Sequence, residues 1–277
     1  IIARSGMDHF RTSASKTINE LTNDTILRNV LSGTSMLYGG IYDSSTWYHH
    51  AMVNNSYLES SYRMVNGTME ISDELIAVIR ANGGTVLENK EVTRFVVKDN
   101  SVSAVEVNGE EIYEAKNVIS NIHPRKTLQL LDKTRNIKNA YINRVKSLPN
   151  SYGVFSIYIV LKKNTVPYLN HNIYVHGTDS TWFDPKTSSK DRVDNVLITF
   201  QNNGSKYADV ITLMVPINTS EFNQWADSTV ERRAKEYKEF KEQYTERALD
   251  FLRQKGFDFK DNIEFILTAS PLTFRDY

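Results

Sequence analysis

Residues 64 to 131 constrain the fold of this 277-residue chain more than any other stretch, because helix, turn and strand signals follow one another there in a fixed order. Ile71, Leu75, Val78 and Ile79 recur at three- and four-residue spacing, which predicts a helix from about 70 to 82 with one buried stripe. Gly83-Gly84 should end it, since a glycine just past a helix takes the left-handed conformation without a Cβ clash. Thr85-Val86-Leu87 then reads as a short strand.

Two alternating segments follow, Glu91 to Val97 and Ser101 to Val107, with Val92, Val96, Val102 and Val105 among the inward candidates. The polar, turn-prone Lys98-Asp99-Asn100 between them predicts a β-hairpin. Asn108-Gly109 is the strongest short turn signal in the chain and predicts a second hairpin, closing on Glu111-Ile112-Tyr113. Lys116 to Ser120 supplies one more short apolar strand, and Pro124 opens a helix carrying Leu128, Leu130 and Leu131.

In this order the residues resemble a known family, the flavoprotein oxidoreductases related to phytoene desaturase, carotenoid isomerase and retinol saturase. The resemblance rests on Tyr62 and Gly67, Gly83-Gly84-Thr85-Val86, Val92 to Phe95, Ala104-Val105, Gly109, Ala115, and Val118-Ile119-Ser120-Asn121 with Pro124. Ser56-Tyr57 ahead of Ser60-Ser61-Tyr62 is similar to the retinol saturase branch. Arg63 to Asn66 stand where the family usually has Pro and the first glycine of a pair.

The resemblance implies FAD in the full-length protein and an apolar, carotenoid- or retinoid-like isoprenoid as substrate, with desaturation, saturation or isomerisation of C=C bonds as the reaction. It implies that the Val92 backbone meets the adenosine half of FAD, that Gly67 and Thr68 lie near the flavin ring, and that Tyr48, Met52, Tyr57 and Tyr62 line the substrate channel. No Gly-x-Gly-x-x-Gly occurs in the chain, whereas the family holds the pyrophosphate with such a loop at a helix N-terminus. The family's C-terminal flavin segment is missing as well. The expectation is an internal fragment, inactive alone and without FAD of its own.

The expected class is α+β, a flavoprotein fragment. Residues 1–66 form a helical first part of a substrate domain, 67–125 an inserted, incomplete piece of a Rossmann-like FAD domain, and 126–277 a second substrate part with a mixed or antiparallel sheet and a long helix. Two alternatives stay open: a non-enzymatic prenyl- or lipid-binding protein of the GDP-dissociation-inhibitor type, and a relative of flavin amine oxidases or protoporphyrinogen oxidase.

Within the outer parts, Ile18, Leu21, Ile26, Val30 and Leu31 are expected to pack, and Thr46 to Val53 begins an aromatic-rich helix. From Ser151 the period becomes two. Val154, Ser156, Tyr158 and Val160 alternate with Phe155, Ile157, Ile159 and Leu161, which predicts a long central strand. Its antiparallel neighbours are Asn172–Val175, Asn195–Phe200 and Ala208–Pro216, with Ile263–Leu267 a further strand candidate. Ser228-Thr229-Val230-Glu231 reads as a capping box. Val230, Ala234, Tyr237, Phe240, Tyr244, Ala248 and Phe251 mark the buried face of the helix after it, and Gly256 its end.

Thirty-three basic and 33 acidic residues cancel, so nothing points to nucleic acid. Without cysteine there is neither a disulfide nor a thiolate metal site. His49-His50 are adjacent, and His171 and His176 should point to opposite faces, so no metal site is expected. Ser120 lacks a Gly-x-Ser-x-Gly context, and no catalytic residue stands out. A flavin would carry the electron chemistry itself, leaving the protein to supply shape and exclusion of water. A cytoplasmic or membrane-peripheral location is expected, for no apolar run reaches membrane-spanning length.

Overall fold

The computed structural model describes residues 10–65, 67–131, 137–178 and 180–276, the Glu231 side chain excepted. Asn66, the boundary of the expected first segment, lies outside the described residues. The architecture is α+β and divides into two compact units, one of residues up to Thr68 together with Ser151–Tyr277, the other of Met69–Asn150. Residues 126 to 150, expected with the second substrate part, belong instead to the Met69–Asn150 unit. The reason is local: α5 (Pro124–Leu130) leads to Leu131, which bridges Phe95, and the Arg125 side chain donates to carbonyls of Val145 and Leu148 around α6 (Asn139–Ser147).

The larger unit is built on a five-stranded, wholly antiparallel sheet of β4 (Gly153–Leu161), β5 (Ile173–His176), β6 (Asn195–Gln201), β7 (Val210–Ile217) and β8 (Ile263–Ala269), in the order β5-β6-β7-β4-β8. Phe155, Ile157, Ile159 and Leu161 of β4 share one face with Ile211, Leu213, Val215 and Ile217 of β7 and with Val196, Ile198 and Phe200 of β6. Against this face lies α7 (Lys235–Gln254), contributing Tyr237, Phe240, Tyr244, Ala248 and Leu252 to the core. Each buried Val, Leu, Ile or Phe side chain there contributes about 1.5–3 kcal/mol.

The capping box does not form. α7 starts at Lys235 after Ala234, without a side-chain cap, and Val230–Arg232 make only a 3₁₀ turn with Val230 exposed. Glu231, whose side chain the box needs, lies outside the described residues. Arg233 takes over the region, donating to the carbonyls of Trp225 and Ser228 and pairing with Asp276. It pulls the chain away from helical geometry before Lys235.

In the N-terminal part, α1 (Ala14–Leu21) is capped by Ser13 and α2 (Thr25–Ser32) by Asp24. Ala14 and Ile18 pack with Trp182, Tyr38 and Trp47 in a small second core. Leu21, Ile26, Val30 and Leu31, expected inside, are exposed.

The smaller unit carries α4 (Met69–Ala81) and a three-stranded antiparallel sheet of β1 (Val92–Lys98), β2 (Ser101–Val107) and β3 (Glu111–Glu114). Both predicted hairpins form. Asp99-Asn100 and Asn108-Gly109 take positive φ in pairs, the mirror-image turn geometry that suits strand twist. After α4, the Gly84 N–H donates to Ile79 O at 2.9 Å and the Gly83 N–H to Arg80 O at 3.0 Å, with Gly83 at φ +78°. That is a Schellman stop. A Cβ on Gly84 would sit 2.6 Å from Ile79 Cγ2, so both positions require glycine.

Two expectations fail in this unit. Ile71, Leu75, Val78 and Ile79 do lie on one side of α4, but that side is exposed. Thr85–Leu87 and Lys116–Ser120 join no ladder among the described residues, and Ile119 is 94% exposed. The periodicity is correct. What it needs is a packing surface, and no described element of the chain supplies one.

Candidate functional site

The residues that the resemblance assigns to substrate lie on α3 (Trp47–Glu59) and the segment after it. Thr46 caps this helix, its hydroxyl accepting from the His49 N–H. Inward, His50 is buried beside Trp47, Tyr38 and Trp182, with its Nδ1 2.8 Å from the Tyr38 hydroxyl. Burial pulls the His50 imidazole below its ordinary range and pushes the Tyr38 phenol up. These contacts fix how α3 is rotated.

Tyr48 and Met52, four residues apart, therefore share an outward face. Tyr48 rests on Phe10 with ring centroids 4.2 Å apart. Tyr57 is nine residues on from Tyr48, or about two and a half turns, and points the other way. It neighbours Tyr174 on β5, whose phenol burial raises, Asn172 lowers and Tyr57 raises further. Tyr62 stands in an extended segment, 92% exposed. The four residues do not make one wall.

Arg63 anchors that segment. Its guanidinium donates to the Phe200 carbonyl and to Asn202 Oδ1 at 2.7 Å each, and lies 4.8 Å over the Tyr168 ring. It ties the exit of α3 to the end of β6. The sequence marked Arg63 only as a departure from the family pattern and gave it no role.

Tyr174 opens onto the sheet face that α7 does not cover. Strand register lines it up with Leu197, Met214 and Ser156 across β5, β6, β7 and β4, and the next row holds Thr199, Thr212, Tyr158 and Leu267. Ser156 and Thr212 are buried, the Thr212 hydroxyl accepting from the Gln201 amide, while Phe265 and Leu267 at the β8 edge are exposed. The parity of β4 carried this signal, because its Ser156 and Tyr158 row is the more polar of the two. Tyr174, Met214 and Leu267 were not anticipated.

Gly67 has φ +97°, closing a turn in which its N–H donates to Met64 O, and a Cβ built there would meet nothing within 4 Å. This open backbone fits the close approach of a flat ring. Thr68 beside it is exposed. Val92 belongs to the other unit, half-buried opposite Val107, where the β1–β2 ladder slips before Arg94. Among the described residues no three metal-ligating side chains converge, and no helix is long and apolar enough to cross a membrane.

A separate cavity of about 810 Å³ lies between Ile41–Asp43 and the 180–188 loop, floored by Trp182, Phe183 and Pro216. Asp43 and Lys186 pair across its mouth at 3.5 Å, and Arg192 pairs with Asp194 at 2.8 Å. It contains none of the residues assigned to substrate or cofactor.

No family model matches the chain. It is 25% identical over 286 residues to an all-trans-retinol 13,14-reductase of Danio rerio and 23% identical over 287 residues to that of Rattus norvegicus, each alignment covering 96% of the chain. The chain spans 47% of the length of these relatives. Among solved structures, an oxidoreductase from Methanosarcina mazei superposes over 94% of the chain and 56% of its own at TM-score 0.59 and 18% identity. A Pyrococcus furiosus protein does so over 93% and 57%, at 0.59 and 17%. Both share the fold. On sequence likeness carried over nearly its whole length, the chain is similar to the all-trans-retinol 13,14-reductases.

Proposed function

We propose that this chain is the middle part of an FAD-dependent oxidoreductase acting on a carotenoid- or retinoid-like isoprenoid. The likeness to all-trans-retinol 13,14-reductases over 96% of its length carries the reading. The exposed stripe of α4 and the unpaired Thr85–Leu87 and Val118–Ser120 segments support it.

When bound, FAD supplies hydride acceptance or donation at its ring. The chain's own residues shape the site. Gly67 and Thr68 offer backbone toward the ring, Val92 offers its backbone toward the adenosine half, and the sheet face opposite α7, with Tyr57, Tyr174 and Met214, orients a long apolar substrate and excludes water. Tyr48, Met52 and Tyr62 extend that lining outward. On this reading residues 69–150 belong to the flavin-binding part and the remainder to the substrate-binding part, and the protein is cytoplasmic or membrane-peripheral.

The test is the visible spectrum of the full-length protein after purification. Bands near ~370 and ~450 nm, those of bound flavin, are expected. Colourless full-length protein that cannot be reconstituted with FAD would sink the reading.

A further inference from the structure

Asn195, at the start of β6, is 6% exposed, and its Oδ1 lies 2.7 Å from His176 Nδ1 on β5. A carboxamide oxygen can only accept, so Nδ1 carries the proton and the amide is held with its NH2 turned away from the ring. Among the described residues that NH2 has no hydrogen-bond partner. His176 Nε2 is buried and unpaired as well, which leaves Asn195 as the one partner of the ring's nitrogens among the described residues. Buried donors are rarely left this way, because water no longer supplies what the protein omits.

The donor has a space to serve. Asn195 and Pro216 line the cavity of about 810 Å³, a volume within the range of small-molecule sites. Its wall is built. Ile41 bridges Phe183, the Asn218 amide donates to Pro185 O at 2.8 Å, and Asp184 Oδ1 accepts from the Lys186 N–H at 2.9 Å. Strand alternation puts Asn195 on the same side of the sheet as Leu197, and Pro216 on the same side as Met214, two residues apart in each strand. Two residues of strand span about 7 Å. The cavity therefore adjoins the end of the row formed by Tyr174, Leu197 and Met214.

We infer that this cavity takes the oxygen-bearing end of the isoprenoid, a neutral oxygen that accepts from the Asn195 NH2 while the chain lies along the sheet face. The inference rests on the isoprenoid reading and narrows it from hydrocarbons to oxygenated chains. A hydrocarbon end would cover the same NH2 and leave it unpaired. A carboxylate would meet Asp43, Asp184 and Asp194 in the lining, against Lys186 and Arg192, which are already paired at 3.5 and 2.8 Å. The wall thus turns anions away and favours a neutral acceptor.

The experiment is equilibrium binding of all-trans-retinol, deoxyretinol (the same chain without its hydroxyl) and all-trans-retinoic acid to the full-length protein, read by quenching of tryptophan fluorescence. Retinol is expected to bind roughly tenfold or more tightly than either of the others, since a site built to hydrogen-bond an oxygen rejects the analogue that lacks it. Asn195→Leu, with unchanged circular dichroism, should bring retinol and deoxyretinol to equal affinity and leave deoxyretinol where it was. Thr187→Trp, at an exposed position of the lining, fills the cavity without touching the sheet and should weaken retinol binding roughly tenfold. This second variant decides the matter if Asn195→Leu does not fold. Equal binding of retinol and deoxyretinol by the unaltered protein, a preference kept in Asn195→Leu, tightest binding of retinoic acid, or retinol binding untouched by Thr187→Trp would each overturn the inference. Failure of all three compounds to bind would overturn it together with the isoprenoid reading. Neither flavin nor turnover is needed for the measurement. A flavin-bearing protein that binds all three equally refutes only the cavity, and a colourless one that discriminates through Asn195 refutes only the flavin reading.

Discussion

At His50, burial lowers the affinity for a proton that the unfolded chain still takes up at the ordinary value of 6.5. As pH falls, the unfolded chain is protonated first. Stability is therefore held above about pH 6.5 and declines below it. Thermal midpoints measured from pH 7.5 to 5.5 should fall, and His50→Gln should flatten that part of the profile. At Gly83, φ +78° makes alanine strained, and Gly83→Ala should cost about 1–2 kcal/mol in urea unfolding. If the proposed function holds, Tyr57→Ala and Tyr174→Ala in the full-length protein should each lower kcat/KM roughly tenfold, the loss of about 1.4 kcal/mol of aromatic contact. Unchanged kinetics in both would remove the uncovered sheet face from the site. Tyr57 was assigned to substrate by the resemblance. Tyr174 was not, because its partner is 117 positions away and only strand register joins its face to Met214.

Elements that pack against other described residues were legible, and the helix whose apolar stripe meets none of them was not. β4 alternates between two apolar rows and is central, with β7 and β8 on either side. α7 shows its face through Tyr237, Phe240, Tyr244 and Ala248, all buried. Tyr244 meets Phe155 edge-on at 5.1 Å and stacks on Phe240 at 5.7 Å. Truncation to alanine should cost about 3–5 kcal/mol, read as a shift in urea midpoint. For α4 the same periodic signal predicted burial that does not occur, since periodicity reports which side is apolar and not what covers it. Its amides should exchange with deuterium well ahead of those of β4 and β7, the helix having no buried residue. Protection of residues 69–81 equal to that of β4 would refute this.

For the whole molecule, the division into two units follows from sequence distance. Residues 69–150 make near-neighbour contacts through two tight hairpins and a helix stop. The larger unit draws its parts from either side of them. The class and the strand set could be read from alternation, whereas the compact unit runs to Asn150, past the boundary expected at 125, because the Phe95–Leu131 bridge and the Arg125 contacts are tertiary and leave no local pattern.

Strand order in the larger unit also sets a timetable. β4 ends at Leu161, but its neighbour β8 runs to Ala269, so 108 further residues must be synthesised before the central strand has both partners. At translation rates of about 5–20 residues per second that interval is roughly 5–20 s. Until then Phe155, Ile157 and Ile159, all fully buried in the finished sheet, present an unfinished edge. The small unit, complete by Asn150, emerges before any of this. A nascent chain stalled just before Ile263 should accordingly bind chaperone more than one stalled before Gly153, which lacks β4 altogether.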